Sequence, residues 1–248
     1  MMPKEQQFDV GLDPFYAEDL RQMERAVNYQ AWQFRRVEPF LGRRVLEVGG
    51  GIGNFTPQLA GDGRTVVSLE PNGYCFGQRE GKTRDLGNVR PLRATVETMD
   101  EVLDADERFD SVVLMNVLEH IRDDRAVLMA LRERLAPGGR IVVLVPAGQW
   151  AFGPTDERLG HYRRYDKARS RKLFEEAGLG VGFMRYYNFV GIWGWWWNAK
   201  MGKREGQSDA QIRLFDRGIV PILCMVERFI RPPVGQSILI VGELADPV

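Results

Sequence analysis

The sequence predicts an open α/β domain built on a doubly wound, mostly parallel sheet. Three observations carry this expectation. Short β-branched runs alternate with helical patterns, the order that builds parallel sheets. The run Ile141-Val-Val-Leu-Val145 is apolar throughout, as a strand covered on both faces must be. A buried-type strand over 43–48 runs straight into the turn Gly49-Gly-Gly-Ile-Gly53, where missing side chains let the backbone approach a ligand.

Each element follows in order. Residues 1–13 read as a loose tail. Phe15, Leu20, Met23, Val27, Trp32, Phe34 and Val37 recur at helical spacing and predict one or two helices over 14–40. Strands are expected at 43–48, 66–70, 88–93, 111–115 and 141–145. A helix over 125–135 should stop at Pro137-Gly138-Gly139. Residues 147–165 make a long connection rich in Gly, Arg and aromatics. Asp166 can cap a helix that ends at Ala177 before Gly178. A strand at 181–187, an aromatic segment at 189–201 and a polar linker at 202–209 come next. A helix over 210–230, broken near Pro221, precedes the last strand at 237–243. The chain divides into a tail with cap helices (1–40) and a main domain (41–248).

Composition narrows the function classes. Lys plus Arg equals Asp plus Glu, at 34 each, so charge gives no reason to expect nucleic acid. Cys75 and Cys224 cannot make a disulfide framework, which favours a reducing cytoplasm. Residues 1–10 are polar and carry no export-signal core. No apolar run approaches the roughly 18 residues of a spanning helix. No metal-ligand cluster is legible, because His120 and His161 stand far apart in the sequence and in no ligand-spaced motif, so no metal is expected.

The glycine turn fails as a dinucleotide fingerprint. Counted from Gly49 the third glycine position is Asn54, and counted from Gly51 it is Thr56. Glu47 would repel a pyrophosphate and suits a ligand carrying ammonium and sulfonium groups. Glu70 ends the second strand, where an acid can accept both ribose hydroxyls.

These segments together resemble the class I S-adenosylmethionine-dependent methyltransferases. Glu47-Val-Gly-Gly-Gly-Ile-Gly53 is similar to their first motif and Val67-Ser-Leu-Glu-Pro-Asn72 to their second-strand acid. Phe109-Asp-Ser-Val-Val-Leu-Met-Asn-Val-Leu-Glu-His-Ile121 and Leu135-Ala-Pro-Gly-Gly-Arg-Ile-Val-Val-Leu-Val-Pro146 resemble their fourth and fifth strands. The resemblance implies a Rossmann-like seven-stranded sheet, a helical N-terminal cap and an aromatic helical insertion before the last strand. It also implies S-adenosyl-L-methionine as cofactor, with S-adenosyl-L-homocysteine as product. Glu47, Gly49, Gly51, Gly53, Asn54 and Phe55 fall at the first motif, and Glu70, Pro71 and Asn72 at the ribose. Thr95 and Val96 fall at the adenine, although many members carry Asp where Thr95 stands. Asn116 and Val117 line the pocket, and Tyr29 and Trp32 close it from the N-terminal helix. For Glu119 and His120 a structural hydrogen-bonding role is implied.

The substrate side is expected in segments 147–165 and 188–232. In the loop Asp156-Glu-Arg-Leu-Gly-His-Tyr-Arg-Arg-Tyr165, His161 could be a general base. Glu157 and Tyr162 join it as candidate catalytic residues. Arg163 and Arg164 could hold an anionic head group, with a loop stapled by Arg–carboxylate pairs as the structural alternative. Four of the six tryptophans fall within Trp193-Gly-Trp-Trp-Trp197, too dense to share one helix face. Trp193, Trp196 and Trp197 are candidate substrate contacts. With Lys200, Lys203 and Arg204 they also suit a peripheral contact with anionic lipid. Loop and segment resemble those of bacterial small-molecule and lipid-type methyltransferases.

The expected function is therefore methyl transfer to a small, amphiphilic or isoprenoid-like molecule. The alternatives are C-methylation of a prenyl diphosphate and O- or N-methylation of a soluble metabolite. More distant are a nicotinamide dehydrogenase and a non-catalytic interaction protein. The expected partner is a small-molecule or lipid-like substrate and not nucleic acid.

Overall fold

Residues 14–201 and 213–244 are described in this computed structural model. The strands are β1 (Arg44–Val48), β2 (Thr65–Leu69), β3 (Val89–Leu92), β4 (Phe109–Met115), β5 (Leu135–Pro146), β6 (Leu179–Tyr187) and β7 (Ser237–Leu244). They form a seven-stranded sheet in the order β3-β2-β1-β4-β5-β7-β6. Pairing is parallel except at β7, which runs antiparallel to both β5 and β6. The Rossmann-like sheet expected from the sequence is therefore present.

Alternation along the strands sends successive side chains to opposite faces. Leu46, Val112, Leu114, Ile141, Val143 and Ile240 face one core, packed with Leu128 and Leu131 of α5 (Asp124–Arg132) and Phe174 of α7 (Lys167–Glu176). Val45, Val113, Val142, Leu144, Leu239 and Val241 face the other. There they meet Trp32, Phe34 and Val37 of α2 (Val27–Val37). Because both faces are covered, these strands read as continuous apolar runs.

The local signals act largely as expected. Asp166 caps α7 by accepting the Arg169 N–H at 2.8 Å. α5 ends at Arg132, earlier than expected, because Leu135 already pairs with Phe109. The Pro137-Gly138-Gly139 turn thus lies inside β5. The expected break near Pro221 is a π-helical segment (Phe215–Ile219), and a regular helix (Val220–Phe229) follows it. Its Asp216 accepts the Tyr29 N–H at 2.8 Å and so holds the start of α2. α4 (Gly73–Thr83) was not legible, since Gly73, Gly77 and Gly81 depress helix propensity. The Asn72 side chain supplies its cap by accepting the Cys75 N–H at 3.1 Å. A short α6 (Pro154–Arg158) precedes α7, and the aromatic segment is helical over Phe189–Met201, here called α8. The tail 1–13 and the linker 202–209 lie outside the described residues.

The carboxyl ends of β1, β2 and β4 converge where the chain leaves the sheet centre in both directions. Crevices at such switch points are where ligands bind in doubly wound sheets. No helix among the described residues is long and apolar enough to cross a membrane.

Leu128 is fully buried between α5 and the sheet. Leu128→Ala is expected to lower unfolding free energy by about 2–5 kcal/mol. Urea denaturation reads this as an earlier midpoint at unchanged slope.

Candidate active site

The site begins at the end of β1. Gly49 and Gly50 both donate to the Leu69 carbonyl at 2.9 Å, which ties the turn to β2. Gly49, Gly51 and Gly53 have φ of 70°, 53° and 82°, a region glycine enters without strain. Beneath the turn lies Arg79 of α4, fully buried. A Cβ on Gly50 would meet Ser68 Oγ at 2.5 Å and Arg79 Nη1 at 2.6 Å. Gly50 is therefore needed for close approach, a role the spacing argument did not assign.

Glu47 stands under the same turn, also buried. Its carboxylate accepts from Thr56 Oγ1 at 2.7 Å and from Ser68 Oγ at 2.5 Å. Arg79 Nη1 donates to Ser68 Oγ at 2.7 Å. Burial pushes the Glu47 carboxyl up and the Arg79 guanidinium down, with each charge opposing the other's shift. Glu47 thus braces the turn from below.

Glu70 extends β2 by one residue. Its two oxygens accept the Gly51 N–H at 2.8 Å and the Asn72 N–H at 2.9 Å. Burial raises its carboxyl, against those two amides and Arg79. Each carboxylate oxygen keeps a lone pair for a hydroxyl. Asn116 leaves β4 at φ 54° with its N–H on the Leu144 carbonyl. Val117 packs against Gly49, where a Cβ would meet its Cγ2 at 2.6 Å. Val96 is buried and Thr95 half-buried, with the Thr95 N–H on Thr98 Oγ1.

The covering helix is not the expected one. Tyr29 and Trp32 are buried in the core over the sheet, 5.8 Å apart between ring centroids. Instead α1 (Pro14–Arg25) reaches the turn. The Leu20 carbonyl accepts from Asn54 Nδ2 at 3.2 Å, and Leu20 Cδ2 stands 3.8 Å from a Cβ built on Gly51. Asn54 Oδ1 is buried without a partner. Phe55 packs into the core and Asn72 is spent on the α4 cap. The Pro71 carbonyl accepts from Arg93.

The 147–165 connection returns to its own start. The Tyr165 N–H donates to the Pro146 carbonyl and the Gly148 N–H to the Tyr165 carbonyl, both at 2.9 Å. Tyr162 N–H donates to the Glu119 carbonyl at 2.8 Å. This closure brings together two histidines that stand far apart in the sequence: the His120 and His161 rings are 4.7 Å between centroids, edge to face. Glu119 beside them is fully buried, and neither carboxylate oxygen has a hydrogen-bond partner. That corrects the structural hydrogen-bonding role expected for it. Burial pushes its carboxyl up to about 8 and the His120 imidazole down to about 3. Asp19 of α1 faces the same group, and burial raises its carboxyl to about 6.

The acid that orients His161 is Asp156 and not Glu157, which is exposed. Asp156 Oδ1 lies 2.8 Å from His161 Nδ1 and 2.8 Å from Arg164 Nε. Against the effect of burial, those two partners hold the Asp156 carboxyl below its usual range. Arg164 is correspondingly internal, its guanidinium 4.6 Å from the Trp195 ring centroid. Arg163 pairs with Asp124 at 2.8 Å and donates to the Arg122 carbonyl. Both arginines therefore staple the loop, and the expected anion-binding role is corrected. Tyr162 is 54% exposed beneath the Arg163 guanidinium.

The tryptophans divide between two tasks. Trp195 turns toward Arg164. Trp193, half exposed, stacks with Trp150, Phe189 and Trp196 at 5.9–6.3 Å. The side chains of Trp197 and Lys200, and residues Lys203 and Arg204 altogether, lie outside the described residues.

A mostly parallel sheet with one reversed strand, a glycine turn on a buried arginine and an acid closing β2 define an S-adenosylmethionine-binding domain. The chain belongs to the methyltransferase-domain family, whose model matches residues 16–199. It is 36% identical over 110 residues to a ubiquinone biosynthesis O-methyltransferase of Cereibacter sphaeroides, covering 42% of this chain and 41% of that one. It is 33% identical over 117 residues to a tRNA U34 carboxymethyltransferase of Shewanella loihica, covering 45% and 35%. The chain thus spans about two fifths of the length of these curated relatives. An S-adenosylmethionine-dependent methyltransferase of Archaeoglobus fulgidus shares the fold at TM-score 0.56 and 18% identity, with 86% of this chain and 92% of that one covered. S-adenosylmethionine is the cofactor, as the resemblance implied. The residues present fit it: a glycine turn where a Cβ on Gly51 would meet nothing nearer than Leu20 at 3.8 Å, an acid with free lone pairs at the end of β2, and the unpartnered Asn54 Oδ1.

Glu70→Ala is expected to weaken S-adenosylhomocysteine binding about tenfold to a hundredfold, the cost of losing about 1.5–3 kcal/mol of charged hydrogen bonding. Isothermal titration calorimetry checks this, with circular dichroism confirming an intact fold.

Proposed function

We propose that this enzyme methylates an oxygen of a small amphiphilic molecule. The observation that carries the reading is the position of the Glu119–His120–His161 group. It adjoins α1, whose Leu20 carbonyl accepts from Asn54 of the glycine turn while the neighbouring Asp19 is close enough to His161 to feel its charge. Such a buried, polar group beside the methyl donor suits a hydroxyl that must lose its proton. The exposed aromatic face of Trp150, Phe189 and Trp193 suits the apolar part of the same molecule.

Bound in the cradle, S-adenosylmethionine supplies an electrophilic methyl group on a sulfonium. The chain's own residues set the rest. The glycine turn and Glu70 fix the donor's ribose end. α1 reaches over the turn and would shield it from water, which strengthens electrostatic effects inside. His161 is held by Asp156 with Nδ1 engaged, so Nε2 is the atom presented to the group.

Transfer to oxygen is supported by the relative named as an O-methyltransferase. The balanced net charge supports a small molecule over RNA. The prenyl-diphosphate reading loses support, since Arg163 and Arg164 are both engaged within the loop.

The test uses methyl-labelled S-adenosylmethionine, purified chain and a host extract split into organic and aqueous phases. Enzyme-dependent label in the organic phase, released only by conditions that cleave methyl ethers or esters, is expected. Label confined to the aqueous phase, or retained on nitrogen or carbon, would overturn the reading.

A further inference from the structure

We propose that Glu119, His120 and His161 bind a divalent transition-metal ion. One ligand atom from each lies within 4.8 Å of the other two. Glu119 is the decisive member. Its side chain is fully buried and both oxygens lack any hydrogen-bond partner. An orphaned carboxyl group in the interior is costly, and a cation would satisfy it.

His161 is oriented as a coordinating histidine is. His161 Nδ1 lies 2.8 Å from Asp156 Oδ1, which leaves Nε2 for coordination. Asp156 is itself held by Arg164 Nε at 2.8 Å and the Gly153 N–H at 3.1 Å. A carboxylate behind a coordinating imidazole fixes its tautomer and raises its basicity. His120 stands beside it, its ring 4.7 Å from that of His161 between centroids and edge to face.

The donor set names the class of ion. Two imidazoles and one carboxylate favour zinc, iron, cobalt or manganese over magnesium or calcium, which prefer all-oxygen sites. Three protein ligands leave coordination positions open, as in catalytic centres. The open side would face α1, where Asp19 stands beside the residue that covers the cofactor turn. A cation there would bind a substrate hydroxyl and lower its pKa. Metal binding is read without turnover, so the proposal stands independently of the substrate assigned above.

The untagged full-length chain, stripped with a chelator, is titrated with cobalt(II) by visible absorption and with zinc(II) by calorimetry. The expected result is one equivalent per chain, with a ligand-field spectrum that zinc abolishes. Asp156→Asn should weaken binding by about 10–100-fold, as loss of an outer-shell partner does. Glu119→Gln, nearly isosteric, and His161→Ala should weaken it further. Circular dichroism confirms that each variant is folded. Failure of the parent chain to bind cobalt or zinc stoichiometrically overturns the proposal. So does equal binding by the parent, Glu119→Gln and His161→Ala. S-adenosylhomocysteine calorimetry on the same preparations reports the methyl-donor site separately.

Discussion

The buried guanidinium of Arg79 is the constraint on which the site depends. It lies directly beneath the glycine turn and donates to Ser68, which in turn donates to Glu47. Glu47 also receives Thr56 at the start of α3 (Thr56–Leu59). One relay thus ties together β1, β2, α3 and α4. Two acids and one arginine sit in a space with little water, and each needs the other's charge. The glycines follow from this arrangement. A side chain on Gly50 would strike the relay, and one on Gly53 would meet Arg79 Cγ at 3.1 Å. The turn is glycine-rich because its underside rests on an arginine.

A second closure shapes the 147–165 segment. The backbone bonds at Tyr165 and Tyr162 fold the 147–165 segment back on itself and onto Glu119. Asp156 then collects both His161 and Arg164, and Arg164 carries Trp195. The buried charges of the loop are compensated within the loop. Glu119 is the exception, with no partner for its carboxyl group. A fully buried acid without a hydrogen-bond partner, opposed in its burial cost by the charge of Arg164 and set beside two imidazoles, is a candidate functional feature.

The sheet was legible because its strands are short, apolar and bounded by glycine or proline, and both cores simply divide odd from even positions. The glycine turn and the acid after β2 were legible because Gly49, Gly51, Gly53 and Glu70 are local in sequence. α4 was hidden by its own glycines. Arg79 carried no signal, since a helical arginine reads as solvated until the fold buries it. The contact between His120 and His161 was equally hidden, because it depends on a loop returning over a long separation. The same loop explains why Arg163 and Arg164 looked like an anion site. In sequence they are a pair of cations, whereas in the fold each has a carboxylate already.

The most direct test of this account replaces the arginine. Arg79→Met keeps length and apolar bulk but removes the charge between Glu47 and Glu70. Breaking a buried pair by removing one partner costs roughly 3–5 kcal/mol. The account predicts a loss of that order in chemical denaturation, recovered in part by adding Glu47→Gln, together with weaker S-adenosylhomocysteine binding in calorimetry. Parental stability and parental affinity in Arg79→Met would contradict it, and would mean that the glycine turn holds its shape without the charge beneath it.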